Sequence, residues 1–442
     1  MKTPVLRPSK QEESSTSHRE TPNDSNFRIG QASVSITPTG PLINWVTWED
    51  YPGILDLIRV QVLALEEGET RVLIISFDLL ETRSSQVAEL RALLEKDLGI
   101  PAGHILMQAS HTHSGPRFPH VKEDTHPLHL EKLARLKEDP GYEVWCQELP
   151  HKVLSCARAA VDSLQPATAG IRRIYAGDWV YNRRPIQPDG RVTTQFSSKT
   201  PFAQRDGNRF GVCDPTLTAF QFQGVEANPL ATLLHFACHP VAIYPTDKRL
   251  SADWPGFLKK KVSEAENAAA LFLQGCAGDQ VPVRRGLAAV EEMTDVLAER
   301  LRGAVSGQGS IALSGLEVRS AEVELPLIAQ AGAPESTMAE VQVIVFGEVA
   351  IVAMPGEILI GIGLEIQRRS PFPHTLCLGY ANGHGSAYTG LPIEKERGGY
   401  EGDPKVSHGK AECGSLLIET ACSLLQEMHR EDSVKPNGDG LL

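Results

Sequence analysis

An apolar run, Ile105-Leu106-Met107, ends in the fragment Ser110-His111-Thr112-His113-Ser114-Gly115-Pro116. The run reads as a buried strand, and residues two apart in a strand share a face. His111 and His113 therefore project together at the strand's carboxyl end, and the Gly-Pro turn opens space in front of them. Paired imidazoles on one face are a start for a zinc site. A pair this short also arises as surface or hydrogen-bonded histidines, so its meaning depends on what the rest of the chain brings to the same place.

Four other segments share this design, an apolar strand or turn that stops abruptly in small polar residues. Leu233-Leu234-His235-Phe236-Ala237-Cys238-His239-Pro240 places His239 at a strand end, before a proline. Ser251-Ala252-Asp253-Trp254-Pro255-Gly256 places an acid at a helix start, where Asp also serves as a cap. Gln274-Gly275-Cys276-Ala277-Gly278-Asp279 and Ala353-Met354-Pro355-Gly356-Glu357 each end a strand in a glycine turn with a carboxylate. Taken singly, His239 is as readily a core histidine, Asp279 a turn residue and Glu357 a first-turn helix acid. Together, two histidine-bearing loops and a strand-end glutamate suit zinc. Imidazole nitrogens and a carboxylate oxygen hold the metal and leave a position for water. No HExxH occurs, so the helical type of zinc site does not apply.

Regular structure is expected to start near Phe27. Residues 60–65 and 72–78 flank a glycine turn and read as a hairpin. Val87, Leu90, Leu93, Leu94 and Leu98 recur at helical spacing over 84–98, and Gly99 and Pro101 end that helix. Residues 117–142 are polar, contain His120, His126 and His129, and read as a long loop or lid. Further helices are predicted over 144–164, 255–267, 286–303, from Glu357, and over 411–428. Strands are predicted near 168–180, 215–223, 230–239, 271–274, 311–325, 341–345, 350–354 and 375–378. Residues 60–115 and 341–385 share a layout of hairpin, acid, helix, strand and histidine loop, as an internal duplication would. The expected fold class is α/β, with mixed sheets flanked by helices. Polar segments 1–27 and 431–442 are expected to be disordered tails around one domain over 28–430.

Composition narrows the partners. Over 442 residues, 41% are apolar and 22% charged, which is ordinary for a soluble globular protein. A net charge of −12 disfavours nucleic acid or an anionic membrane surface as the main partner. No run of about 18 apolar residues could span a bilayer, and no secretory signal is evident, so a cytoplasmic location is expected. The eight cysteines form no CxxC pair and are expected to be free thiols. Cys238 and Cys276 lie beside the motifs but read as small core residues.

In chain order, the segments resemble the catalytic domain of the neutral/alkaline non-lysosomal ceramidase family and its bacterial ceramidase-like relatives. The matching residues are His111-Thr112-His113-Ser114-Gly115-Pro116, Asn182-Arg183, Phe236-Ala237-Cys238-His239 and Ser251-Ala252-Asp253. They continue with Gly278-Asp279, Pro355-Gly356-Glu357 and the block from Tyr388 to Gly398-Gly399-Tyr400. The resemblance implies a zinc ion held by His111, His239, Glu357 and Tyr388. It implies His113 beside the reacting carbonyl, and Arg183 rather than Arg184 against the substrate. Tyr400 becomes a further active-site tyrosine, and Asp279, in the family's Gly-Asp turn, joins the catalytic group.

The chain departs from that pattern in two places. The family's turn continues into Val-Ser-Pro, whose serine is associated with handling ceramide, and Val281 stands in the serine's place. The chain also ends where the family's C-terminal immunoglobulin-like domain would begin. The expected activity is a zinc-dependent hydrolase that cleaves an amide (N-acyl) bond in a small molecule by metal-activated water, with a substrate other than ceramide. The same site would serve an ester or a sugar-derived substrate. From another class, a metal-bound binding protein without turnover fits the same ligands. Oligomeric state is left open.

Overall fold

The computed structural model describes residues 26–117, 136, 138–196, 207–304, 310–329 and 334–434. Three stretches of the chain follow one plan. In the first, β1 (Phe27–Ser35), β2 (Arg59–Glu67) and β3 (Thr70–Phe77) form an antiparallel meander, and helix α1 (Ser84–Leu98) crosses over to β4 (Ile105–Ala109), which pairs parallel to β3. Helix α2 (Pro140–Asp162) follows. The second stretch repeats this with β5 (Gln165–Tyr175), a short β6 (Val180–Asn182), β7 (Thr216–Gly224) and β8 (Pro229–Phe236). Helix α3 (Asp253–Glu266) then leads to β9 (Ala269–Gln274), parallel to β8. After β10 (Gln280–Pro282), which pairs with β6, comes α4 (Leu287–Gly303).

The third stretch has a short β11 (Ser310–Ile311) that pairs with β5, then β12 (Glu317–Pro326), β13 (Ser336–Phe346) and β14 (Val349–Ala353). After β15 (Glu357–Ile358), α5 (Ile360–Arg369) crosses to β16 (His374–Leu378), parallel to β14. β17 (Tyr388–Thr389), α6 (Pro392–Glu396) and α7 (Cys413–Val434) close the described chain. The duplication expected over two stretches is thus one plan used three times. The first two sheets join edge to edge through β1 and β5, and the third stands alone as β12-β13-β14-β16.

Period-two alternation explains the layers. Val60, Val62, Leu73, Ile75 and Phe77 face outward onto α1 and α2. Leu63, Leu65, Val72 and Ile74, on the other face, meet Leu233, Leu271 and Leu273 of the second sheet and Ile344, Phe346 and Ile351 of the third in one central cluster. The outer faces of the second and third sheets are covered by α3 with α4 and by α5 with α7. Strands β2, β3, β8, β9 and β14 are buried on both faces and read as near-continuous apolar runs, whereas the edge strand β12 alternates with exposed residues.

The element boundaries agree closely with the sequence reading for the first hairpin and α1, α3 and α4. Four differences have local causes. Helix α2 starts at Pro140, earlier than its apolar periodicity, because Asp139 caps it and proline suits the first turn. Glu357 does not open a helix. It pairs with Tyr388 in a two-residue parallel bridge, and the helix starts three residues later. His239 lies three residues past the end of β8 rather than within the strand. The C-terminal helix runs to Val434, past the boundary expected at 431. Residues 1–25 and 435–442, and most of the expected lid (118–135 and 137), lie outside the described residues.

Where the three stretches meet, the edge strand β9 has unpaired carbonyls. Successive ones are met by side chains from three strands of the first sheet: Gln61 to Ala270 O, Ser76 to Phe272 O and Gln108 to Gln274 O. Gln108 also donates to Gly379 O just after β16 and accepts from the Gln274 amide. Gln274 in turn donates to Ser110 O and Cys238 O, the residues immediately before His111 and His239. Both glutamines are fully buried. Gln108→Leu would strand two carbonyls and one amide, so we expect a loss of about 2–5 kcal/mol. Urea unfolding of the variant checks this, and an unchanged midpoint would show that the amide does not hold the strand ends.

Candidate metal centre

His111, His113 and His239 converge from the ends of β4 and β8. His113 Nε2 lies 3.3 Å from His111 Nε2 and 3.1 Å from His239 Nε2. These three form a possible metal-holding group among the described residues. Glu357 enters from the turn after β14, with Oε2 3.2 Å from His111 Nε2 and 3.8 Å from His239 Nε2.

The hydrogen bonds behind the rings set their tautomers. His111 Nδ1 sits 2.6 Å from Leu80 O, and His239 Nδ1 sits 3.0 Å from Ala277 O. A carbonyl only accepts, so each Nδ1 carries the proton and each Nε2 offers a lone pair to the centre. Burial, with His111 and Arg183 close by, pushes His239 and His113 well below the usual imidazole range, so both are neutral. Glu357 Oε2 is buried without a hydrogen-bond partner. The Nε2 atoms of the three histidines and the unpartnered Glu357 Oε2 thus crowd together, the kind of donor set that a cation satisfies. The residues fit a metal ion.

His113 differs from the other two. Its Nδ1 has no backbone acceptor among the described residues, and its ring is only half-buried, against Trp45 and Tyr244 at centroid distances of 5.9 and 6.0 Å. Tyr380 was not singled out in the sequence. Its ring stacks on His111 at 4.1 Å, and its buried hydroxyl has no partner. The backbone around the centre is strained. His111, Asp253, Tyr380, Asn382 and Ala387 all have positive φ, which is unfavourable for residues with a Cβ.

A second layer holds the arginines and tyrosines. Arg183 Nε donates to Glu401 Oε1 at 2.6 Å, and its Nη2 donates to Gly278 O at 2.8 Å and the Tyr388 hydroxyl at 3.2 Å. The rings of Phe196, Tyr388 and Tyr400 surround its guanidinium at 5.3–5.7 Å. Arg184 turns away to Glu401 Oε2 and the carbonyls of Glu394 and Gly398. Of the two candidate arginines, Arg183 is the one beside Tyr388. Glu401, the shared counter-ion, escaped the sequence reading, although it adjoins Tyr400. Tyr400 is 38% exposed and stands at the rim.

Asp279 takes a positioning place. Its Oδ1 accepts from Ile360 N at 2.9 Å and its Oδ2 from Asn182 at 2.7 Å, so it ties the start of α5 to β6. Burial, then Glu394, pushes its carboxyl up to about 7. Asp253 likewise accepts from the Ala242, Ile243 and Trp254 amides and pins the loop after His239. Val281 packs with Tyr181, Val241 and Val283. Cys238 and Cys276 are buried thiols raised well above the usual range by burial, and all eight cysteines are free.

The sequence matches no protein-family profile and no curated protein. The fold and the convergent strand ends define a ceramidase-like α/β architecture. Among solved structures, the chain is similar to a neutral ceramidase from Pseudomonas aeruginosa, with a TM-score of 0.70 and 15% identity over 92% of this chain and 75% of that one. It is also similar to a ceramidase complexed with C2, with a TM-score of 0.69 and 15% identity over 91% and 75% of the two chains. At this identity the likeness establishes the fold. Among the described residues no helix is long and apolar enough to cross a membrane.

The loop that carries Asp253 is itself held by Asp56, which accepts from Ser251 and the Ala252 amide. Burial pushes the Asp56 carboxyl from 3.8 up to about 7, against those bonds. The folded state keeps a proton that the unfolded chain releases. This stabilising contribution is full below pH 3.8 and is lost as pH rises through about 7. Asp56→Asn is expected to remove from the stability profile a downward slope of up to about 1.4 kcal/mol per pH unit between those values. Urea unfolding across that range checks this, and parallel profiles for the two proteins would refute it.

Proposed function

We propose that the protein is a zinc-dependent hydrolase of an amide (N-acyl) bond in a small molecule. The observation that carries this is the meeting of three imidazole Nε2 atoms with the unpartnered, buried Glu357 Oε2. His111, His239 and Glu357 would hold the ion, with Tyr388 as a fourth ligand on the Arg183 side. A zinc ion held there would lower the pKa of bound water and polarise a carbonyl oxygen.

The chain's own groups supply the rest. His113, neutral and with no backbone bond to lock its ring, is suited to carry a proton to the leaving amine. Arg183 holds its charge against Glu401 and keeps the Tyr388 hydroxyl in place, and Tyr400 at the rim can donate to a developing oxyanion. Burial pushes Tyr400 up to about 12, so its proton stays available for donation. Its eight free cysteines favour a reducing compartment, the cytoplasm.

Elemental analysis should find about one zinc per chain. His111→Ala, His239→Ala and Glu357→Ala are each expected to lose it with the fold retained. His113→Ala is expected to keep the metal and to lose roughly 10²-fold or more in kcat. Full zinc occupancy in the first three, or metal loss in the fourth, would overturn this division of roles.

Ceramide is not the substrate in this reading. Val281 brings an apolar branch, packed among Tyr181, Val241 and Val283, where a hydroxyl would be needed to hydrogen-bond it. Short soluble N-acyl amines should be cleaved with higher kcat/KM than long-chain ceramide. A side-by-side kinetic comparison decides, and the reverse order would refute the assignment.

A further inference from the structure

One cation beside the centre takes no part in the chemistry above. Arg285 forms no ion pair with a carboxylate among the described residues. Its Nη1 donates to Tyr244 O at 3.2 Å and its Nη2 to Phe196 O. Those two residues place it. The Tyr244 ring packs on His113, and the Phe196 ring packs on Arg183 at 5.3 Å and on Tyr400 at 5.1 Å. His113, Tyr244, Arg285, Phe196 and Arg183 thus form one continuous wall beside the metal centre. Asp253, a buried acid whose charge reaches Arg285, has its oxygens engaged with the amides of Ala242, Ile243 and Trp254. Glu401 is already shared between Arg183 and Arg184. Burial disfavours the charge on Arg285 and outweighs the favourable pull of Tyr181 and Asp253, and Arg183 opposes the charge as well. An isolated guanidinium with three N–H groups to spare, half-buried in such a wall, calls for an anion.

We infer that the substrate carries a carboxylate on its leaving-amine side, as an N-acyl amino acid does, and that Arg285 binds it. The inference rests on the amide-hydrolase reading. The side follows from Arg285 adjoining His113, the group assigned to the departing amine. The planar guanidinium matches a two-oxygen carboxylate with paired, charge-assisted hydrogen bonds.

The test compares N-hexanoylglycine, N-hexanoylglycinamide and N-hexanoylphosphoethanolamine on the zinc-loaded protein, by turnover and by calorimetric binding. The acid should be preferred to the neutral amide by about 10-fold to 100-fold, the range that one charge-assisted pair supplies. Arg285→Gln should reduce that preference to about 3-fold or less, chiefly through KM, and Arg285→Lys should restore part of it. If the acid binds with this preference but no amide is cleaved, the anion site stands and the hydrolase reading fails. If amides are cleaved with no preference for the acid, or with a preference that survives Arg285→Gln, the anion site is refuted. Tighter binding of the phosphorylated compound than of the acid would overturn the carboxylate assignment.

Discussion

Two buried primary amides, Gln108 and Gln274, hold this structure together at the point where it becomes chemical. Three sheets end there, and between them no continuous ladder satisfies the backbone of the edge strands. An unpaired buried carbonyl costs as much as a lost hydrogen bond. A glutamine side chain can donate twice and accept at one site, so it can join strands that do not pair with each other. Gln108 joins β4 to β9 and to the segment after β16. Gln274 then fixes the carbonyls just before His111 and His239. These bonds fix the residues before His111 and His239, and the histidine amides add their own, His111 N to Leu79 O, His113 N to Pro240 O and His239 N to Gln280 O of β10.

That support allows the centre to hold strain and unsatisfied charge. Positive φ at His111 and Tyr380 aims both side chains inward at a cost of order 1–3 kcal/mol each, tolerable only where the surroundings over-determine the conformation. The same holds for the acids behind the centre. Asp56, Asp253 and Asp279 each accept backbone amides and are spent on placing loops. The arginine layer balances two guanidiniums on Glu401 and leaves Arg285 without an ion-paired acid among the described residues.

The threefold plan explains why the site lies where it does. In each stretch, the third and fourth strands end on the same side, and the reactive loops follow them. The first stretch supplies His111 and His113, the second His239, and the third Glu357, Tyr380 and Tyr388. The sequence reading saw the plan in the first and third stretches. It missed the second, whose segment after β9 carries no histidine.

The sequence by itself determined the elements and which face of each is apolar. Helix α1, the β2-β3 hairpin and strand β4 follow from periodicities of two and 3.6, which are properties of a few consecutive residues, whereas His111 and His113 lie past the end of β4, with His111 at positive φ, so they do not share a strand face as expected. It also determined the chemical types at the strand ends, and the order of those segments carried the resemblance to ceramidases. Only the tertiary structure decided what each of those groups does. It took Asp279 into the start of α5, put Glu357 in a strand bridge instead of a helix, made Glu401 the counter-ion of two arginines and gave Arg285 none among the described residues. The reason is range. A buried polar group is defined by its partners, and the partners that matter here lie far along the chain, as Gln108 lies 166 residues from Gln274 and Arg183 lies 218 from Glu401.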